Sequence, residues 1–217
     1  MRTRSQPTTY PNPWLAIPAA DYEGHMGSDL VGQSPVLNRV FAETLAEFTP
    51  QQLAVLGCAT GNGFEHIDPA ITRRIVGVDL NAGYLDILQQ RHGERLPNLS
   101  LLCSDVTCCA LEPGAFDLVH AALIFEYVDP GQLLPALVEW LKPGGILSVV
   151  LQLPSRSSGM VSETPYTSLK ALSSIMHLVD PAVFQSLAER CGLALLRSRT
   201  IDLLLGKGFH AAYYEKE

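Results

Sequence analysis

An apolar strand that runs directly into a glycine-rich turn constrains this chain of 217 residues more than any other feature. The segment 53–63 reads LAVLGCATGNG, and a second apolar segment ends at Asp79. In such a strand, turn and helix unit, the backbone N–H groups of the turn and of the helix N-terminus face a ligand. An acid about 20 residues further on is placed to accept hydrogen bonds from ribose hydroxyls. The pattern predicts a site for a nucleoside-containing cofactor.

The spacing of the glycines argues against a dinucleotide. A dinucleotide-binding turn has the pattern G-x-G-x-x-G, in which the second glycine admits the pyrophosphate and the third allows close packing of helix and strand. Counted from Gly57, those two positions hold Ala59 and Asn62, and counted from Gly61 the third position holds His66. The turn is instead G-x-A-x-G-x-G, which suits a ligand without a pyrophosphate.

This turn resembles the first motif of class I S-adenosylmethionine-dependent methyltransferases, and four later segments resemble further motifs of that family in order. VGVD at 76–79 is similar to the second strand, and LLCSDV at 101–106 is similar to the third. FDLVHAALIFEYV at 116–128 is similar to the fourth strand and the loop after it. LKPGG at 141–145, followed by ILSVV, is similar to the helix exit and fifth strand. The five segments together cover about residues 50–155.

The resemblance implies S-adenosyl-L-methionine as the cofactor. Asp79 would then hold the ribose hydroxyls, and Asp105, at the end of the third strand, would accept the adenine amino group. Many members of the family have an acid two residues before the first glycine, where it helps to fix the methionine end, but this chain has Val55. That end must therefore find other partners. The implied cofactor-binding residues are Gly57, Cys58, Ala59, Gly61, Asn62, Asp79, Leu80, Ser104, Asp105, Val106, Ala121 and Ala122.

Candidate catalytic residues lie outside these motifs. The segment 17–26, IPAADYEGHM, combines ionisable, aromatic and apolar side chains, and such N-terminal segments often fold over the cofactor in similar enzymes. We expect Tyr22, Glu23 and His25 to line the site, with His25 as the base because its ordinary pKa is near neutral. The alternative is a structural helix on which Tyr22 and Met26 pack at i, i+4 spacing.

The loop after the fourth strand supplies a further candidate, Tyr127, next to Glu126. In the family this loop lies beside the transferred methyl group, and Tyr127 stands where a histidine is often found. The structural alternative is an acid at a helix start and a half-buried aromatic. The stretch 121–124, AALI, lacks the Asn/Asp-Pro-Pro-Tyr/Phe loop of enzymes that methylate planar amide or adenine nitrogens. His177, among apolar neighbours, is more often a packing residue.

Composition limits the partners. A net charge of -7 and a pI near 5.3 disfavour a surface for nucleic acid or for an anionic membrane. The five cysteines have no C-x-x-C spacing, and the histidines lack metal-site spacing, so no metal is expected. Without an export signal or a membrane span, we expect a cytoplasmic protein that acts on a small molecule. The acceptor and the number of subunits stay open.

Apolar periodicity predicts an α/β fold, namely a doubly wound, mostly parallel seven-stranded sheet with a C-terminal antiparallel hairpin and helices on both faces. The hairpin is an implication of the resemblance. Predicted helices cover 36–48, 62–67, 81–91, 131–140 and 180–191, and predicted strands cover 53–56, 74–78, 99–103, 116–121, 145–151, 193–204 and 209–215, with a turn at 206–208. One domain, 1–217, is expected, comprising a loose tail (1–13), an N-terminal lid and helix (14–50), the cofactor-binding core (51–153) and a substrate-covering segment, last helix and hairpin (154–217).

These features favour in-line methyl transfer to a small molecule. Two alternatives stay open. A nicotinamide-dependent oxidoreductase would use the same acid on ribose, although the glycine spacing disfavours it. A non-catalytic S-adenosylmethionine-binding protein would have the space beside the methyl group filled by its own side chains.

Overall fold

A computed structural model of the chain describes residues 12–155, 161–203 and 206–217. Seven strands form one sheet: β1 Gln52–Leu56, β2 Arg74–Asp79, β3 Leu99–Cys103, β4 Phe116–Ala122, β5 Leu141–Leu153, β6 Leu193–Asp202 and β7 Gly208–Lys216. The α-helices are α1 Ala19–Gly27, α2 Gln33–Phe48, α3 Ala82–His92, α4 Pro130–Trp140 and α5 Pro181–Arg190. Short 3₁₀ helices cover Pro13–Ala16, Phe64–His66 and Thr167–Ser174.

The strand order is β3-β2-β1-β4-β5-β7-β6. The pairs among β1 to β5 are parallel, whereas β7 runs antiparallel to both β5 and β6. The predicted fold class is therefore confirmed, including the terminal antiparallel hairpin. The chain leaves β1 towards β2 on one side and later returns to place β4 on the other, so a crevice opens at the carboxyl ends of β1 and β4.

Helices cover both faces of the sheet because its central strands are apolar on both sides. Along β1, Leu53 and Val55 belong to a cluster with residues of α2 and α3, such as Phe41 and Leu88. The alternate β1 residues, Ala54 and Leu56, belong to a second cluster, which includes Leu134 of α4 and Phe184 of α5. Side chains alternate between the faces of a strand, so the two clusters lie on opposite sides of the sheet.

The observed boundaries differ from prediction in two places that bear on the site. The predicted helix over 62–67 is a single 3₁₀ turn, because Gly63 (φ +90) breaks the helical path before it and Pro69 follows. Strand β5 begins at Leu141 rather than at 145, since Leu141 pairs with Phe116, the first residue of β4. The other predicted elements agree with the structure to within three residues.

A separate layer lies over the carboxyl edge of the sheet. It consists of residues 12–27 and 161–178, which we call the lid. Ile17, Leu169 and Leu172 are buried in its own apolar cluster, against which Trp14 and Tyr22 pack. The predicted loose tail, 1–13, falls outside the described residues except for its last two positions. Position 204, the last of the predicted strand 193–204, also falls outside them, whereas the predicted turn at 206–208 is described.

Candidate functional site

A cavity of ≈ 290 Å³ lies between the carboxyl edge of the sheet and the lid. One part, the turn half, is formed at the ends of β1, β2 and β3. The other part, the hairpin half, is formed at the ends of β4 and β5, the start of β7 and the lid. The turn half is lined by Gly57, Ala59, Asp79, Leu80, Tyr84, Ser104, Asp105, Val106 and Thr107, and the hairpin half by His25, Gln33, Leu123, Ile124, Glu126, Gln152, Ser162, Leu169, Leu172, Met176 and Lys207.

The glycine turn is folded tightly against the crevice. Gly57 has φ +61, a conformation that side chains disfavour, and a Cβ there would lie 2.3 Å from Ile124 Cδ1. Ala59 also has a positive φ of 44, and its N–H donates to Asp79 Oδ2 over 2.9 Å. The turn and the end of β2 therefore form one unit around the Asp79 carboxylate.

Asp79 is held so that its lone pairs face the cavity. Its Oδ1 accepts a 2.8 Å hydrogen bond from the Asn81 N–H, which leaves acceptor capacity on both oxygens. Burial raises the pKa of Asp79, although hydrogen bonds from backbone N–H groups act in the opposite direction. A carboxylate that is partly buried in this way is suited to two adjacent hydroxyl donors, as the sequence predicts.

Asp105 lies at the far end of the turn half. Its Oδ1 accepts hydrogen bonds from the N–H and the hydroxyl of Thr107, at 2.8 and 2.7 Å. These bonds fix the orientation of the carboxylate and leave Oδ2 without a hydrogen-bond partner among the described residues. Asp79 and Asp105 therefore line the same half of one cavity, the arrangement expected for ribose and adenine.

Some predicted cofactor-binding residues do not line this cavity. Cys58 is buried behind the turn against Gly77, and Ala121 is fully buried in the core. Gly61 and Asn62 line a second, polar depression on the other side of Tyr22. The predicted residues that do line the cavity are Gly57, Ala59, Asp79, Leu80, Ser104, Asp105, Val106 and Ala122.

Val55 does not substitute for the acid that is usual at its position. Its side chain is buried in the apolar cluster beneath α2 and α3 and does not line the cavity. The methionine end of a ligand in the turn half must therefore be held by other groups.

Aromatic rings close the cavity from the lid side. Tyr22 lies 5.4 Å from Tyr84 and 6.0 Å from Trp14, measured between ring centroids, and Trp14 lies 5.2 Å from Tyr127. Burial raises the pKa of Tyr22, and the neighbouring Asp79 raises it further, so the phenol is neutral at physiological pH. Burial likewise raises the pKa of Tyr127. Both predicted tyrosines line the cavity as neutral, largely apolar walls.

Glu23 lies on the same helix, but its carboxylate points away from the cavity. It pairs with Arg91 at 2.5 and 3.2 Å and accepts a hydrogen bond from the Thr60 hydroxyl at 2.5 Å. The pairing with Arg91 lowers the pKa of Glu23. Its contacts fasten α1 to α3 and to the glycine turn.

His25 is buried in the hairpin half. Its Nδ1 lies 2.8 Å from the Thr164 hydroxyl, in the other segment of the lid. Burial lowers the pKa of His25, and the positive charge of Lys207 lowers it further, so the ring is neutral at physiological pH. A neutral imidazole with one nitrogen held in place can accept a proton.

Glu126 is fully buried and lines the same cavity as His25. Its Oε1 accepts a 2.6 Å hydrogen bond from the Gln152 N–H, whereas its Oε2 has no hydrogen-bond partner among the described residues. Burial raises the pKa of Glu126 to about 7. Carboxyl groups with such a pKa cluster at functional sites because they can exchange protons near neutrality.

Sequence reasoning missed two polar residues of the hairpin half. Gln33, at the first turn of α2, donates to Gln152 Oε1 over 3.1 Å. Lys207 is only 4% exposed and donates to Ser162 Oγ over 2.5 Å. An antiparallel hairpin at the end of a parallel sheet places its turn at the carboxyl edge, so the pattern G-K-G at 206–208 carried a usable signal.

Two other histidines, His177 and His120, fall outside the cavity. His177 is exposed, and only its backbone N–H contacts the site region, donating to the Glu126 carbonyl over 2.8 Å. His120 is buried against Phe41, and burial lowers its pKa to about 4. The described residues contain no cluster of three or more His, Cys, Asp or Glu side chains able to hold a metal ion, and none of the described helices is long and apolar enough to span a bilayer.

A family model and a similar curated protein are both described as methyltransferases. A family model described as a methyltransferase domain matches residues 54–145. A trans-aconitate 2-methyltransferase from Variovorax paradoxus (strain S110) is 35% identical over 101 residues, which are 46% of this chain and 37% of that protein. The chain thus spans less than half the length of the curated relatives it matches.

Solved structures share the fold at low sequence identity. An S-adenosylmethionine-dependent methyltransferase from Mesorhizobium loti has a TM-score of 0.66 at 16% identity, with 89% of this chain and 100% of that chain covered. The N-methyltransferase NodS from Bradyrhizobium japonicum WM9, in complex with S-adenosyl-L-homocysteine, has a TM-score of 0.62 at 17% identity, with 86% and 87% covered.

Proposed function

We propose, since the chain belongs to the class I S-adenosylmethionine-dependent methyltransferase family, that it is an enzyme that transfers a methyl group to a small-molecule acceptor. The observation that carries this proposal is one continuous cavity that joins the Asp79 and Asp105 carboxylates to the polar groups of the hairpin half. A cofactor and an acceptor can therefore meet without leaving the protein.

The cofactor that family membership brings, S-adenosyl-L-methionine, fits the turn half. Asp79 would hold the ribose hydroxyls and Asp105 the adenine amino group, with Leu80 and Val106 as apolar walls. The glycine turn would approach the cofactor with its backbone, since Gly57 and Ala59 both line this half of the cavity. The sulfur end would then point past Gly57 towards Ile124 and the hairpin half.

When bound, the cofactor supplies an electrophilic methyl group on a sulfonium. The protein's tasks are to align the acceptor, to exclude water and to leave the nucleophile with a free lone pair. The lid excludes water, because its buried apolar cluster covers the carboxyl edge. Tyr22 and Tyr127 shape the space between the two halves as uncharged walls.

An acceptor that carries a proton on its nucleophile needs a base, and two groups are in position. His25 is neutral because burial lowers its pKa, and Thr164 fixes its ring. Glu126 has one oxygen without a hydrogen-bond partner in the described part of the chain, and burial raises its pKa to about 7. We assign the base to His25, with Glu126 as a second group of the same cavity that can accept or return a proton.

A small-molecule acceptor is supported by two observations. The hairpin half lies between the lid and the sheet, and Lys207 is the one lysine or arginine among its described lining residues, which does not suit a polyanionic polymer. Three of the similar curated proteins are named for trans-aconitate, a small molecule. The hairpin half, where the acceptor would bind, is open as a cavity next to the turn half, which favours an enzyme over a non-catalytic binding protein.

Calorimetry with S-adenosyl-L-methionine and S-adenosyl-L-homocysteine tests the proposal at Asp79. Removing a buried carboxylate that accepts ribose hydroxyls should weaken binding by about 1 to 3 kcal/mol in Asp79→Ala. Asp117→Ala is the matched control, since Asp117 also accepts backbone N–H bonds but lies at the opposite end of the sheet. Equal cofactor affinity in the wild type and in Asp79→Ala would remove this carboxylate from the site.

A further inference from the structure

Lys207 is a buried cation that has no anionic partner in the described part of the chain. It lines the hairpin half and is 4% exposed, and its Nζ donates to the Ser162 hydroxyl. Among residues 12–155, 161–203 and 206–217, no carboxylate forms an ion pair with it. A lysine is almost never buried to this degree unless its charge is compensated.

The neighbouring groups do not compensate this charge. Burial lowers the pKa of Lys207, and the adjacent His25 is neutral. Of the carboxylates that line the cavity outside the turn half, Glu126 accepts a hydrogen bond from the Gln152 N–H, and Asp129 caps the first turn of α4. Burial therefore destabilises the charged ammonium group through the loss of its hydration, and no attractive charge among the described residues offsets this effect.

The fold places this cation at a defined position. Lys207 directly precedes β7, where Gly208 pairs with Leu153 at the end of β5. Only β5 lies between β7 and β4, so the backbone at Lys207 is about two strand spacings, roughly 10 Å, from the end of β4. Leu169, Leu172 and Met176 form an apolar wall of the same space.

We infer that the acceptor carries a carboxylate, which forms an ion pair with Lys207 and a hydrogen bond with the Ser162 hydroxyl. This inference rests on the proposed function and names its substrate class. A carboxylate, with one negative charge, matches a single ammonium group. A phosphate monoester carries about -1.5 to -2 charges, and Lys207 is the one lysine or arginine among the described lining residues.

Lys207 acts in this arrangement as a determinant of specificity. A carboxylate oxygen that accepts a hydrogen bond from the Lys207 ammonium group has one lone pair occupied by that bond. The strand spacing also separates Lys207 from the turn half of the cavity. The residue therefore anchors one end of the acceptor, while a different atom of the acceptor faces the methyl position near Ile124. Its removal should weaken acceptor binding and leave cofactor binding unchanged.

The test is titration calorimetry on the complex of the full chain with S-adenosyl-L-homocysteine. The probes are a panel of small aliphatic and aromatic carboxylic acids, each with its carboxamide and a phosphate monoester of similar size. The wild type is compared with Lys207→Met, which keeps the length of the side chain and removes its charge. Lys170→Met is the matched control, because Lys170 lies in the same lid but is exposed.

We expect carboxylates to bind the wild type, their amides to bind at least about tenfold more weakly, and Lys207→Met to lose about tenfold or more in carboxylate affinity. Lys170→Met should bind as the wild type does. The inference is overturned if amides or phosphate esters bind as tightly as carboxylates, if Lys207→Met keeps full affinity, or if no carboxylate binds while S-adenosyl-L-homocysteine does.

Cofactor affinity separates this inference from the proposed function. Lys207→Met should bind S-adenosyl-L-homocysteine as the wild type does, which also shows that the variant is folded. If that variant fails to fold, the contrast between acid and amide in the wild type still decides the inference. If the wild type does not bind S-adenosyl-L-homocysteine, the proposed function fails, and the substrate class fails with it.

Discussion

The two halves of the cavity are built by different kinds of contact. In the turn half, Asp79 and Asp105 accept hydrogen bonds from groups at most 20 residues away, mostly backbone N–H groups. In the hairpin half, three side-chain pairs join positions 45 to 139 residues apart. One half is therefore a local motif, and the other exists only when the lid, α2 and the hairpin have come together.

This difference implies that the two halves have separate binding roles. Local backbone contacts fix the turn half for one ligand, because the turn cannot change without disturbing β1 and β2. The hairpin half depends on exchangeable side chains from distant segments, so its chemistry can differ among proteins that share the fold. Substitutions in the two halves should therefore change the affinity for different ligands. Substitutions of residues that contact both halves should change the affinity for both ligands.

Gly57→Val gives the largest expected effect and tests whether the turn half is a cofactor site. The new side chain would be strained at φ +61, and its Cβ would meet Ile124 at 2.3 Å. We expect S-adenosyl-L-homocysteine affinity to fall about 100-fold or more, as measured by calorimetry on folded protein.

Gly114→Val is the control for backbone strain alone. Gly114 has φ +60, but nothing lies within 4 Å of a Cβ there. This variant should lose stability and keep its cofactor affinity. Equal losses of affinity in both variants would mean that Gly57 acts through stability, and the turn would lose its assigned role.

Most of the fold could be predicted because its signals are local. Asn81, Asp129 and Asp180 each cap a helix with their own side chains, and the predicted helices begin within two residues of these positions. The helix predicted over 62–67 was wrong because the apolar pattern there cannot outweigh the backbone of Gly63. The start of β5 was misplaced because its first pair, with Phe116, is a tertiary contact.

The site could be predicted mainly in its local half, with His25 as a predicted residue that lies in the hairpin half. Asp79 and Asp105 follow strands at fixed spacing, and both line the cavity, as does His25. The orientation of Glu23 depends on Arg91, 68 residues away, which no helical pattern encodes. Lys207 and Gln33 reach the site through long-range topology, so their roles emerged only when the strand order was known.

Glu126→Gln tests the hairpin half through the pH dependence of stability that one buried carboxyl group causes. The pKa of Glu126 in the folded state is raised to about 7 from the ordinary 4.5, so folding favours the protonated form. The stabilisation that protonated Glu126 adds to the free energy of unfolding is therefore complete below pH 4.5, and it is lost as the pH rises through 7. At about 1.4 kcal/mol per pH decade, the loss reaches about 3 kcal/mol at pH 8.

Glutamine keeps the shape and the acceptor for the Gln152 N–H but does not titrate. The free energy of unfolding of Glu126→Gln, relative to wild type, should accordingly increase by up to about 3 kcal/mol between pH 5 and pH 8. Urea unfolding at both pH values measures this, with Glu94→Gln as an exposed control that should show a much smaller change. A pH-independent difference would show that Glu126 is ionised in the folded protein at neutral pH.

Glu23→Gln gives the smallest expected effect and tests the boundary of the site. Its ion pair with Arg91 lies at the surface, with side chains 38% and 47% exposed, so its loss should lower the free energy of unfolding by less than about 1 kcal/mol. Turnover, followed by formation of S-adenosyl-L-homocysteine, should stay within about threefold of wild type. Arg91→Gln breaks the same pair from the other side and should behave alike. If turnover instead fell about 100-fold in Glu23→Gln and stayed near wild type in Arg91→Gln, the carboxylate would have to turn into the cavity during the reaction, and the structural role assigned to it would be wrong.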